Sequence, residues 1–140
     1  MNPHEPHPGK LVHVERMRMR WGEMDALGHM NNAVYFRYLE QARISWFDSI
    51  GCDYRTQAEG PILGSISCRF VLPVVYPAEL EVTLVASAPR RSAFSLHSEI
   101  REHAIDRVRV NAVDDHFGFG RAEFLSHVSI ESRVEFGVGA

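Results

Sequence analysis

A chain of 140 residues fits one domain around one core and leaves no room for a second of ordinary size. With 45% hydrophobic and 24% charged residues, its composition is that of a globular protein, neither disordered nor collagen-like. A net charge of -3 gives no general footprint for nucleic acid.

Residues 1–10 open with MNPHEPHPG, three prolines and no apolar run, which excludes a secretory signal and predicts a disordered lead-in. No later stretch approaches membrane-spanning length, so a single domain over 11–140 with no membrane partner is expected. Cys52 and Cys68 have no metal-ligand spacing and are too few for a disulfide framework, which points to a reduced, cytoplasmic protein.

From Val12 to Trp21 the residues alternate, with Met17, Met19 and Trp21 on one face and Arg16, Arg18 and Arg20 on the other, the period of a half-buried strand. A polar turn, Glu23 to Asn32, follows. Ala33 to Ile50 then places Tyr35, Tyr38, Leu39, Ala42 and Trp46 on one helical face, widened by Val34, Phe36, Phe47 and Ile50, while Arg37, Gln41 and Asp48 lie off it. Such a helix is roughly 30 Å long at about 1.5 Å per residue, and Gly51 is placed to end it.

Gly60-Pro61 closes a polar loop, and Ile62 to Leu72 predicts a second strand. Pro73 and Pro77 bracket an irregular connection, Leu80 to Ala86 alternates as a third strand, and Ala88 to Arg91 is a turn. Ser92 to Arg101 and the segment through Val108, Val110 and Ala112 continue the period. Asp114 to Gly120 (DDHFGFG) reads as a loop, and Val128 to Val138 alternates again. One antiparallel sheet with one central helix, an α+β fold, accounts for these elements.

Chemistry concentrates in the turn before the helix. Asp25 follows a strand and precedes Gly28, where the chain can turn sharply and set a carboxylate beside the helix start. Free N–H groups there polarise a carbonyl and stabilise charge developing on its oxygen, and losing one such donor costs about 10²–10³ in rate. A carboxylate beside a polarised thioester carbonyl activates water as a general base or attacks the carbonyl to form an anhydride, and both routes stay open. Taken alone, an Asp-x-x-Gly aspartate is more often a turn or cap residue, about four to one, and His29, Asn31 and Asn32 share that reading.

A longer pattern reverses those odds. The run Asp25-Ala-Leu-Gly28-His29-Met-Asn31-Asn32-Ala-Val-Tyr35, followed by Tyr38, Leu39, Glu40 and Ala42-Arg43, resembles the hotdog-fold acyl-CoA thioesterases of the 4-hydroxybenzoyl-CoA thioesterase family. The His-x-Asn-Asn piece is similar to the branch that includes the plant acyl-ACP thioesterases. The resemblance covers Met17 to Glu102 and implies a hotdog fold, an antiparallel sheet wrapped around one long central helix. It also implies a homodimer or homotetramer with active sites at subunit interfaces.

Position by position, it implies that Asp25 is the catalytic carboxylate and that the backbone N–H near Asn32 polarises the carbonyl, while His29 and Asn31 orient water or substrate. It also sets Arg90, Arg91 and Ser92 near the nucleotide end of coenzyme A, where guanidinium groups pair with phosphates. Without it, that turn reads as solvated and basic, about three times the commoner case. Glu40 reads best as a surface partner of Arg37 or Arg43. The eight histidines, His97, His103, His116 and His127 among them, form no metal-ligand motif, so no metal is expected and no cofactor apart from the coenzyme A of the substrate.

Residues 103–140 keep a strand-like period but depart from the family's usual ending; divergence or a shifted reading frame near Glu102 accounts for that. The expected function is hydrolysis of acyl-CoA, with a non-catalytic acyl-thioester-binding or protein-interaction module as the alternative and a hotdog dehydratase as a weaker third.

Overall fold

The computed structural model describes residues 9–52, 61–90, 93–103 and 107–119. Strand β1 (Lys10–Arg18) leads through a 3-10 turn (Trp21–Glu23) to helix α1 (Asn32–Ser49). Strands β2 (Pro61–Phe70), β3 (Glu79–Ala86), β4 (Ala93–Glu102) and β5 (Arg107–Phe119) follow. The five strands form one sheet, antiparallel at every pairing, in the order β1-β3-β4-β5-β2. The long helix and antiparallel sheet expected from the sequence are both present among the described residues.

Strands β3 and β4 alternate because one face of each meets the core. Leu80, Val82, Leu84 and Ala86 are buried, as are Phe94, Leu96, Ser98 and Ile100. Each buried Leu, Val or Ile contributes about 1.5–3 kcal/mol, so these two strands hold the sheet to what lies over it. What lies over it is α1, whose Tyr35, Tyr38, Leu39, Ala42, Trp46 and Phe47 are buried in the same cluster. Trp46 meets Phe94 edge-on at 5.9 Å between ring centroids. Arg37, Gln41 and Asp48 face solvent, as their spacing predicts.

The helix ends where Gly51 takes a positive φ of 74°. Its N–H returns to the Asp48 carbonyl and that of Cys52 to the Phe47 carbonyl, the paired bonds of a Schellman motif. Buried Cys52 and Phe47 complete it with an apolar contact position at each end.

Several boundaries differ from those read in the sequence. β1 begins at Lys10, within the 1–10 segment expected as a lead-in, because Lys10 pairs with Ala86 of β3. It stops at Arg18, and Trp21 lies in the 3-10 turn with 71% of its surface exposed rather than on the face of Met17 and Met19. The chain has left the sheet by then, so strand alternation no longer governs which way a side chain points. The Asp114 to Gly120 segment is not a loop as far as Phe119: β5 runs through it, with Asp115 opposite Leu96 and His116 opposite Ser95 and Ser65. β5 is an interior strand, and ladder bonds from β4 and β2 override the weak strand preference of Asp and Gly. Arg43 is buried at 7% exposure, so it is no surface partner for the exposed Glu40.

Candidate active site

Between β1 and α1 the chain makes a closed excursion. Met24 and Met30 form an isolated antiparallel bridge, the Asp25 N–H donates to the His29 carbonyl at 2.9 Å, and the Gly28 N–H donates to the Asp25 carbonyl at 3.0 Å. Gly28 sits at φ 75°, a left-handed conformation that glycine takes without strain. The carboxylate of Asp25 folds back on this turn, with Oδ1 accepting from the Leu27 N–H at 2.8 Å. It is therefore an Asx turn that fixes Asp25, and a different residue caps the helix.

That cap is Asn31, whose Oδ1 accepts from the Ala33 N–H at 2.9 Å while its carbonyl accepts from Val34 N–H. The Asn32 N–H, at the first helical residue, has no acceptor among the described residues. His29 is exposed, with its carbonyl engaged by Asp25. The structure thus brings Asp25, His29, Asn31 and Asn32 into one turn, with Asp25 and the Asn32 N–H on its two limbs.

The turn is held from both sides. On one side the Met30 N–H donates to the Val74 carbonyl at 2.8 Å, and the Val74 N–H donates to Tyr35 Oη at 3.2 Å, which ties the β2–β3 connection to the helix start. On the other, Glu23 Oε1 accepts from Tyr38 Oη at 2.6 Å and from the Arg20 N–H at 2.5 Å, and the Glu23 carbonyl accepts from Asn31 N–H at 3.0 Å. Burial, then the hydrogen bond to Glu23 and its charge, push the Tyr38 phenol far above its usual range, so it remains a protonated donor. Sequence patterning assigned Tyr38 to the core and gave Glu23 no role. The Trp21-Gly22-Glu23 spacing from Arg20 is the only local signal, since it lets the Glu23 carboxylate reach back to the Arg20 N–H, one half of a capping box whose other half an arginine side chain, having no acceptor, does not supply.

Arg90 lies elsewhere. Register pairs Arg18 with Glu79 at the end of the sheet where the Asp25 turn leaves, and Lys10 with Ala86 at the end where the β3–β4 turn begins. Those ends are roughly 27 Å apart at about 3.3–3.4 Å per residue. Arg90 is exposed in that second turn, its N–H donating to the Ala93 carbonyl at 2.7 Å. Arg91 and Ser92 lie outside the described residues. Among the described residues no group of His, Cys, Asp and Glu is arranged to hold a metal ion, and no helix is long and apolar enough to cross a membrane.

This architecture has known counterparts. Residues 19–134 match the model of the thioesterase-like superfamily, a segment that takes in all of β5 and runs beyond Glu102. The PA2801 protein from Pseudomonas aeruginosa, a candidate thioesterase, is 32% identical, with a TM-score of 0.75 over 81% of this chain and 88% of its own. A DHNA-CoA thioesterase from Staphylococcus aureus gives a TM-score of 0.76 over 91% of this chain and 96% of its own at 13% identity, a likeness of fold. An uncharacterized protein of Bacillus subtilis, YsmA, is 30% identical over 82 residues, which span 59% of this chain and 56% of that relative. With a family model covering most of its length and a sheet and helix in the hotdog arrangement, this chain belongs to the thioesterase-like superfamily.

Proposed function

We propose that this protein hydrolyses an acyl-CoA thioester to the free acid and coenzyme A. One observation carries the reading: a backbone N–H at Asn32 with no acceptor among the described residues and a carboxylate at Asp25 stand on the two limbs of one closed turn. The thioester oxygen accepts from the Asn32 N–H, which stabilises the negative charge it gains as the carbonyl carbon is attacked. Asp25 takes a proton from the attacking water, and the tetrahedral intermediate collapses with cleavage of the carbon–sulfur bond. The coenzyme A thiolate leaves and takes up a proton, while the acyl group departs as the acid. Direct attack by Asp25 gives an acyl–aspartyl anhydride that water then hydrolyses to the same products. Asn31 shapes the helix start by capping it, and His29, exposed beside Gly28, orients water or substrate.

Arg90, with Arg91 and Ser92, binds the phosphates of the nucleotide, and coenzyme A enters only as part of the substrate. The working unit is a homodimer, or a homotetramer built from it, in the cytoplasm. Among the described residues β2 is paired on one side only, and Leu63, Phe70, Val71 and Leu72 along or just after it are exposed, which suits pairing with a second copy. A twofold axis joining two β2 edges antiparallel reverses the partner's sheet, so that its β3–β4 turn comes to the end where Asp25 lies. This arrangement accounts for an Arg90 turn and an Asp25 turn at opposite ends of a single chain.

A panel of short, long and aromatic acyl-CoA and acyl-ACP thioesters, followed by release of free thiol, tests the reading. Turnover of at least one member is the expected result. Because the Asp25 carboxylate is engaged by Leu27, a second reading remains in play, a module that binds acyl thioesters without cleaving them. Acyl-CoA binding with no thiol release across the panel would establish that one instead.

A further inference from the structure

We propose that Glu23 is a positioning residue of the same reaction: it sets where the Asp25 turn sits relative to the helix start. The inference rests on the thioesterase reading for its kinetic consequence but not for its structural one.

The bonds that Asp25 makes go to Leu27, Gly28 and His29, all within the turn. They fix the shape of the turn without fixing its place. The Asn32 N–H belongs to α1, so the separation of carboxylate and donor depends on links between two segments. Glu23 supplies three from one residue. Its Oε1 accepts from the Arg20 N–H at the end of the strand exit and from Tyr38 Oη on the buried face of α1, and its carbonyl accepts from the N–H of the helix cap, Asn31. The anchor on the other side, Met30 to Val74, holds the turn to the β2–β3 connection and leaves the carboxylate limb to Glu23. A carboxylate oxygen receiving an O–H donor makes a short, charge-assisted bond, a stiffer link than a neutral one.

A rival role for Glu23 is direct acid or base chemistry, and glutamine separates the two. The amide oxygen of Gln accepts from the same two donors but moves no proton. Glu23→Ala should lower kcat about 10²-fold with KM within about threefold, the effect of a misplacement near 1 Å. Glu23→Gln should recover kcat to within about tenfold of the parent, a neutral acceptor being weaker. A Gln variant as inactive as the Ala variant, or an Ala variant with unchanged kcat, would overturn the proposal. If Glu23→Ala does not fold, Tyr38→Phe removes one of the three links; a drop in kcat at constant KM supports positioning, and unchanged kcat refutes it.

Amide exchange supplies a readout independent of turnover. The Asp25 and Asn31 N–H groups should exchange at least about tenfold faster in Glu23→Ala and at the parent rate in Glu23→Gln. Unchanged exchange in Glu23→Ala defeats the inference. Altered exchange in a protein that cleaves none of the panel defeats the proposed reaction and leaves the positioning role standing.

Discussion

At its C-terminal end α1 closes on itself, with Gly51 and Cys52 returning their N–H groups to Asp48 and Phe47, whereas at its N-terminal end the Asn32 N–H stands without an acceptor among the described residues. Both ends carry a glycine in the left-handed region, Gly28 at φ 75° and Gly51 at φ 74°, and a methyl group at either would meet open space. The backbone problem is the same at the two places and the outcome differs. A terminus that satisfies its own polar groups gains stability and offers nothing to a ligand. One that satisfies Ala33 and Val34 through Asn31 and leaves the Asn32 N–H before them without an acceptor among the described residues gives up part of that stability for a place where a carbonyl oxygen can sit.

Removing the carboxylate tests the comparison most severely. Asp25→Ala should cut thiol release by about 10²–10⁴-fold while leaving the thermal midpoint nearly unchanged, since the side chain caps only its own turn. Retained turnover would return Asp25 to a purely structural role. The matched glycines come next. Gly28→Ala and Gly51→Ala should each cost about 1–2 kcal/mol in urea unfolding, because both force a side chain into the left-handed region. Only Gly28→Ala should also lower kcat, by about tenfold through displacement of the turn. Equal kinetics for the two variants would erase the distinction between the ends. The smallest effect is expected at Arg90, where Arg90→Ala should raise KM for acyl-CoA about threefold, fading as salt is added, with kcat and stability unchanged.

Much of this arrangement was legible in the residues. The helix spacing from Tyr35 to Trp46 named the buried face, Gly51 marked its end, and the alternation in Leu80 to Ala86 and Phe94 to Ile100 gave two central strands. Local pattern was enough there because burial on one face dictates residue type at a fixed period. It failed where partners are remote. Asp114 to Phe119 is polar and glycine-bearing, yet it is strand because β4 and β2 flank it, and no local feature announces two neighbours. Asp25 was picked out by the pattern around it, but that Asn31 and not Asp25 caps the helix required coordinates. The clamp at Glu23 depends on Tyr38, fifteen residues away, which sequence spacing read only as one more core aromatic. The separation of Arg90 from Asp25 emerged only from strand register.

The tie through Val74 bears on where this chain can change length. Val74 is fully buried, and both its N–H and its carbonyl are committed, to Tyr35 and Met30 respectively. The connection between β2 and β3 is thus a fixed rail along which the Asp25 turn is set, and one added or deleted residue there would slide that turn along the helix start. Relatives that keep this chemistry are expected to hold that connection to a constant length, and to place their insertions at the open β3–β4 turn instead.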